Sequence, residues 1–234
     1  MKNPVKSEHV LEIRYKPIGA FLDIRGSVAD QIAESTHLKE WSISEHRIDF
    51  KDAPEKWKDS AFVSYRNCGY LAPNPATKSY FPDQATKFLR KLREIPEFKL
   101  PPITRIGVRS TFIAGCDKKF DELLNLFIDK LGLPKDKLAG LFSGEIIDAG
   151  LPLYLRSNHG RFNITTGPME EEQIKGLFRG KDELPKIGLY FDIDYFKEDL
   201  KETNEKELAG LIKTFADESW EKSEKLFYLI FENQ

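Results

Sequence analysis

Residues 187–196 read IGLYFDIDYF, and this stretch decides the fold. Apolar and polar side chains alternate along it with the two-residue period of a β-strand. Leu189, Phe191 and Ile193 therefore share one face of the strand, while Asp192 and Asp194 share the other. The alternation predicts a central strand in a sheet that has one apolar and one polar face.

Further strands and amphipathic helices surround this stretch. The patterns predict strands over residues 10–15, 41–50, 61–70, 103–113, 151–156 and 162–166, and helices that begin near Ser27, Asp83, Phe120 and Asn204. The consecutive prolines at 101 and 102 fit an extended connector between two halves. We therefore predict an α+β fold of two packed β/α halves, residues 1–100 and 101–234, with largely antiparallel sheets and helices on one face.

The two halves begin with similar segments. Residues 11–15, LEIRY, match residues 106–110, IGVRS, in their order of apolar and polar positions, and a helix follows each segment. Two explanations stay open. The halves are either a true duplication, or two β/α units that share a binary pattern without common origin.

Composition excludes several classes of protein. The 234 residues are 40% hydrophobic and carry a formal net charge of −2, which disfavours a generally basic nucleic-acid-binding surface. Two cysteines are too few for a disulfide scaffold or a thiolate metal site. The first residues lack the apolar run of a signal peptide, and no stretch is apolar enough to span a membrane. We expect a cytoplasmic protein with no membrane partner.

Asp192 and Asp194 are the first candidate site residues. Two carboxylates on one strand face could hold a hard cation such as Mg²⁺, as in a metal-dependent phosphoryl-transfer or hydrolytic enzyme. Arg105 and Arg109 also alternate on one strand face and could bind the same carboxylates with two-pronged hydrogen bonds. Since no third acidic ligand is evident, we expect arginine partners and no metal.

A predicted hairpin places His159 between Arg156 and Arg161. These donors could hold an anion or position the histidine as an acid or base, and the alternative is an exposed polar turn. His9, His37 and His46 show no metal-binding spacing. No Gly-rich phosphate loop, G-x-S-x-G, H-E-x-x-H or C-x-x-C motif occurs, so the sequence predicts no cofactor and leaves enzymatic activity undecided.

One predicted helix carries a stripe of basic residues on its outer face. The stripe consists of Lys87, Arg90, Lys91 and Arg93. A solvated helix face explains it most simply. Contact with nucleic acid is the alternative, and it would need other basic residues beside the stripe.

Three segments together resemble a sporadically distributed prokaryotic family of uncharacterised proteins of about this length. They are Pro4-Val5 with the strand 10–15, the segment 105–109, and Asp192-Ile193-Asp194. The resemblance implies a cytoplasmic α+β protein with an accessory or antiviral-defence role. We predict a non-catalytic binding or interaction protein whose partner is a protein or small ligand, and a homo-oligomer stays open.

Overall fold

The structure is a computed structural model that describes residues 5–55, 57–178, 183–200 and 204–231. Within these ranges the chain forms nine strands and six helices. The strands are β1 (Val5–Tyr15), β2 (Glu40–Ile43), β3 (Arg47–Lys51), β4 (Ser60–Ser64), β5 (Asn67–Pro73), β6 (Ile103–Gly115), β7 (Leu151–Arg156), β8 (Arg161–Glu170) and β9 (Ile187–Glu198). The helices are α1 (Phe21–Ser35), α2 (Tyr80–Glu94), α3 (Phe120–Lys130), α4 (Lys135–Phe142), α5 (Glu171–Leu177) and α6 (Glu205–Phe231). Pro4 lies outside the described residues.

The nine described strands form one antiparallel sheet in the order β2-β3-β4-β5-β1-β6-β9-β8-β7. Strands of the first half lie on one side and strands of the second half on the other, and the halves meet where β1 pairs with β6. The predicted α+β fold is confirmed. The strand predicted as central, β9, lies inside the sheet, but β1 occupies its middle. Duplication of the halves stays a prediction.

Two of the predicted strands are longer than the strands in the structure. Each of the stretches 41–50 and 61–70 contains a tight turn, so each forms two antiparallel strands. In the first, the N–H of Ser44 donates to the carbonyl of Arg47. Alternation continues on both sides of such short turns, and periodicity alone therefore does not reveal them. The short helices α4 and α5 were not predicted.

The main core lies between one face of the sheet and α1, α2, α3 and α6. It takes alternate residues of each strand and the apolar stripe of each helix. Eight residues that the sequence patterns place in the core are all buried: Leu123, Leu124, Phe127, Leu189, Phe191, Ile193, Phe215 and Phe227. The two-residue and helical periods therefore identified the buried faces correctly.

Helix α5 contributes to a second, smaller apolar cluster. Its Ile174 packs with Ile113 of β6 and Tyr190 of β9. Ile113 and Tyr190 pair across the sheet and alternate with the core residues Phe112 and Phe191, so they point to the opposite face. The expectation that all helices lie on one face is therefore wrong for α5.

Candidate functional site: the open face of the sheet

The face of the sheet opposite the main core carries a band of mostly polar side chains beyond the end that α5 covers. We call this band the open face. It crosses β5, β1, β6, β9 and β8, because residues that pair across these strands point to the same side. Its members are Asn67, Glu12, Arg14, Arg105, Arg109, Asp192, Asp194, Phe196 and Arg161.

Arg109 of β6 and Asp192 of β9 form a two-pronged ion pair on the open face. Nε of Arg109 donates to Oδ1 of Asp192 at 2.8 Å, and Nη2 donates to Oδ2 at 2.5 Å. The side chain of Arg109 is 58% exposed, whereas that of Asp192 is 15% exposed. The carboxylate thus holds the guanidinium in one orientation while leaving it accessible, and the predicted arginine partner is present.

Arg105 ties two neighbouring strands to β6. Its Nη2 donates to both carboxylate oxygens of Asp194, at 3.0 and 2.8 Å, and its Nη1 donates to Glu12 at 3.3 Å. Its guanidinium also lies over the ring of Phe196, 4.5 Å from the centroid. Burial raises the pKa of the Asp194 carboxyl, and the charge of Arg105 opposes this rise.

Glu12 extends the network to β5. Its carboxylate accepts from Nε of Arg14 at 2.8 Å and from Nδ2 of Asn67 at 2.9 Å. Burial by itself would raise the pKa of Glu12, but these hydrogen bonds and the charges of Arg14 and Arg105 outweigh it, so the pKa is lowered. A connected chain of charged and amide groups therefore runs across β5, β1, β6 and β9.

Gly107 provides the room for this arrangement. A Cβ atom at residue 107 would lie 2.9 Å from Cβ of Phe196 and 3.0 Å from Nη1 of Arg105. Any larger residue would therefore push the Phe196 ring or the Arg105 guanidinium out of position. The glycine allows both side chains to lie flat over β6.

Arg156, His159 and Arg161 do come together, at the β7–β8 hairpin. They line a cleft of about 240 Å³ together with Phe196 and Glu198 at the end of β9. The cleft adjoins the open face, because Arg161 pairs with Phe196 across the β8–β9 ladder. The arginines and His159 can donate to an anion there, although Arg161 already donates to Glu198 at 3.3 Å.

The turn itself is held by Ser157. Its hydroxyl accepts from the N–H groups of His159 and Gly160, both at 3.2 Å, and lies 2.8 Å from the hydroxyl of Tyr195. Such side-chain bonds to the backbone define a compact turn. His159 is therefore presented to solvent on an ordered hairpin tip.

The geometry favours arginine over metal at the paired aspartates. Both oxygens of Asp192 and of Asp194 already accept hydrogen bonds from arginine. Among the residues that the structure describes, no group of three or more His, Cys, Asp and Glu side chains is arranged to hold a metal ion. Both pairs hold charged groups in fixed positions on the open face.

A buried polar cluster around Asp59 escaped sequence reasoning. Asp59 is 1% exposed, and its Oδ2 accepts from the hydroxyl of Tyr80 at 2.5 Å and from Nε2 of His37 at 2.8 Å. Within the described parts of the chain, Oδ1 has no hydrogen-bond partner. The three residues come from separate segments with no shared motif, so only the fold reveals the cluster.

Comparisons with family models and with curated proteins give no indication of the function. No family model matches the sequence. No curated protein matches it either. Of the helices in the described residues, none has an apolar stretch long enough to cross a bilayer.

Proposed function

We propose that this is a non-catalytic cytoplasmic binding protein that holds a protein partner on the open face. The proposal rests on the Arg109–Asp192 pair. Asp192 fixes the orientation of the Arg109 guanidinium through two hydrogen bonds, and the guanidinium stays exposed. A guanidinium that is held by two hydrogen bonds and still mostly exposed loses little side-chain freedom when a partner binds. Arginine is also among the residues that contribute most to protein–protein affinity.

The charge pattern of the open face favours a protein partner. Four arginines and four carboxylates alternate across it and at its edge: Arg14, Arg105, Arg109 and Arg161, with Glu12, Asp192, Asp194 and Glu198. A balanced mosaic offers no net attraction to a polyanion, but it can be matched by complementary charges on another protein. The ring of Phe196 adds an apolar contact between the charged groups.

The hairpin cleft supplies a second point of contact beside the open face. Arg156 and His159 provide donors there that can bind a carboxylate of the partner. A sheet face with a cleft at its side suits a partner that inserts an acidic side chain. An accessory or antiviral-defence role, which the family resemblance implies, is compatible with such a recognition protein.

A tagged copy of the protein, cross-linked in the cell it comes from, would identify the partner for purification. The decisive measurement is the Kd of that purified partner for the unmutated protein and for the double variant Arg109→Gln with Asp192→Asn. We expect the double variant to bind at least about tenfold more weakly, because truncation of a hot-spot arginine costs about 2 kcal/mol or more. The control is Glu221→Gln with Lys225→Gln, which removes an exposed ion pair on α6.

Two outcomes would contradict the proposal. Equal affinity of the double variant and the control would remove the open face from the interface. Turnover of a phosphoester or nucleotide with Mg²⁺ or Mn²⁺ that is abolished by Asp192→Asn would instead favour the metal-dependent enzyme. Light scattering of the purified protein tests whether the partner is a second copy of the chain.

A further inference from the structure

A groove between α2 and α6 lies on the helical side of the molecule, away from the open face. It has a volume of about 400 Å³. Lys87 and Arg90 of α2 and Lys213 of α6 line it, together with the methyl group of Ala209 and the backbone of Gly210. A space of this size accommodates a small-molecule ligand or a short segment of a chain.

The cations of this groove are available to a ligand. In the described part of the chain, no carboxylate forms an ion pair with Lys87, and its side chain is exposed. Lys213 reaches Asp217 at 2.6 Å and Arg90 reaches Glu94 at 3.9 Å. Both are exposed pairs within one helix, which contribute little and can be exchanged for a stronger anion.

Three cations face one carboxylate in the lining of the groove. Asp83 is that carboxylate, and Thr86 adds a hydroxyl group. The basic stripe predicted from the sequence needed further basic residues beside it, and Lys213 supplies one from a distant segment. Lys91, in contrast, donates to Glu94 at 2.6 Å and lines a separate depression that also contains Glu34.

We propose that the α2–α6 groove binds a phosphate-bearing anion. Lysine, arginine and hydroxyl groups are the side chains that recognise phosphate oxygens. Lys87 lines both this groove and a neighbouring depression beside His37, so it lies between the two. A free polyphosphate group and the backbone of a single-stranded nucleic acid share this chemistry. The proposal does not depend on the open face.

Two probes test the site: sodium triphosphate by calorimetry, and fluorescein-labelled dT20 by anisotropy at 50 and 200 mM NaCl. Three contacts to a single strand predict a slope of log K against log[salt] of about −2, or about 20-fold weaker binding at the higher salt. Lys87→Gln removes one of the three contacts, so it should weaken the binding of dT20 about eightfold at 50 mM NaCl and bring the slope of log K against log[salt] to about −1.4.

A second variant, Gly210→Glu, blocks the groove in a different way and is not expected to impair folding. Gly210→Glu places bulk and negative charge in the groove, and, apart from the adjoining residues and the backbone of α6 itself, a Cβ atom there meets no atom of the described structure within 4 Å. Glutamate also has a higher helix propensity than glycine, so the variant should fold at least as well. We expect it to bind neither probe, while the control Lys91→Gln binds as the unmutated protein does.

The results separate the two sources of phosphate. Binding of triphosphate points to a small phosphorylated ligand, whereas binding of dT20 alone points to a nucleic acid, and either result supports the site. The proposal is overturned if neither probe binds the unmutated protein. It is equally overturned if Lys87→Gln and Gly210→Glu bind normally, or if Lys91→Gln weakens binding as much as they do.

Discussion

His9 should make the protein lose stability in mild acid. Its side chain is fully buried, and its ring packs against Phe81, Phe112 and Trp220 at centroid distances of 5.2, 5.5 and 5.7 Å. Nδ1 lies 2.9 Å from the hydroxyl of Ser110, and Nε2 has no hydrogen-bond partner in the described structure. Burial lowers the pKa of His9 from 6.5 to about 3, since a charged imidazole would lose its hydration among aromatic rings.

The sign and size of the effect follow from this pKa. Between pH 6.5 and pH 3 the unfolded chain binds a proton at His9 and the folded chain does not. The free energy of unfolding therefore falls by about 1.4 kcal/mol for each pH unit below 6.5. Between pH 7.5 and pH 5.0 the loss from this residue is about 2 kcal/mol, and below pH 3 no further loss arises from it.

Urea unfolding at pH 7.5 and pH 5.0 measures the loss directly. The unmutated protein should lose about 2 kcal/mol more than His9→Gln, which keeps a hydrogen-bonding side chain beside Ser110 but cannot titrate. His159→Gln is the matched control, because His159 is exposed on the hairpin. The other titratable groups are the same in the unmutated protein and in His9→Gln, so their contributions to the pH dependence of stability cancel in the comparison.

Between pH 7.5 and pH 5.0 the control His159→Gln should lose as much stability as the unmutated protein. The reasoning is refuted if His9→Gln loses as much stability between the two pH values as the unmutated protein does. That result would mean that the folded protein can accommodate a charged imidazole at His9, through rearrangement or water entry.

Phe191→Ala should lower the free energy of unfolding by about 3–5 kcal/mol, because Phe191 is buried in the main core, and a loss below about 1 kcal/mol in urea unfolding would make β9 peripheral. Gly107→Ala should cost about 1–3 kcal/mol, since the new Cβ would collide with Phe196, and an unchanged urea midpoint would contradict this prediction. Arg105→Gln and Asp194→Asn in a double-mutant cycle should show a coupling of about 1–3 kcal/mol, because Arg105 is only 13% exposed, whereas additive effects would mean that the pair is not coupled.

Part of the candidate site was predictable because it depends on strand periodicity. Alternation placed Asp192 and Asp194 on one face and Arg105 and Arg109 on one face, and matching of charge then predicted the pairs. The hairpin was predictable because turn-forming residues separate two strand-like runs, which brought Arg156 and Arg161 together.

Other parts depend on contacts between distant segments. Glu12 joins the Arg105 network only because β1 lies beside β6, and no local sequence pattern specifies this strand pairing. The same holds for Lys213, which reaches the basic stripe only because α2 packs on α6. His9 follows the alternation of its strand, but the rings that enclose it come from distant segments: Phe81 of α2, Phe112 of β6 and Trp220 of α6.

The sequence by itself determined the α+β class, the position of most elements and the face that each buries, because these depend on side-chain spacing along single helices and strands. Tight turns within strand-like stretches, the order of the nine strands and the second apolar cluster under α5 were decided only by the tertiary structure. The reason is physical. Periodicity states which side of an element avoids water, whereas the neighbour that covers this side is chosen by the packing of the whole chain.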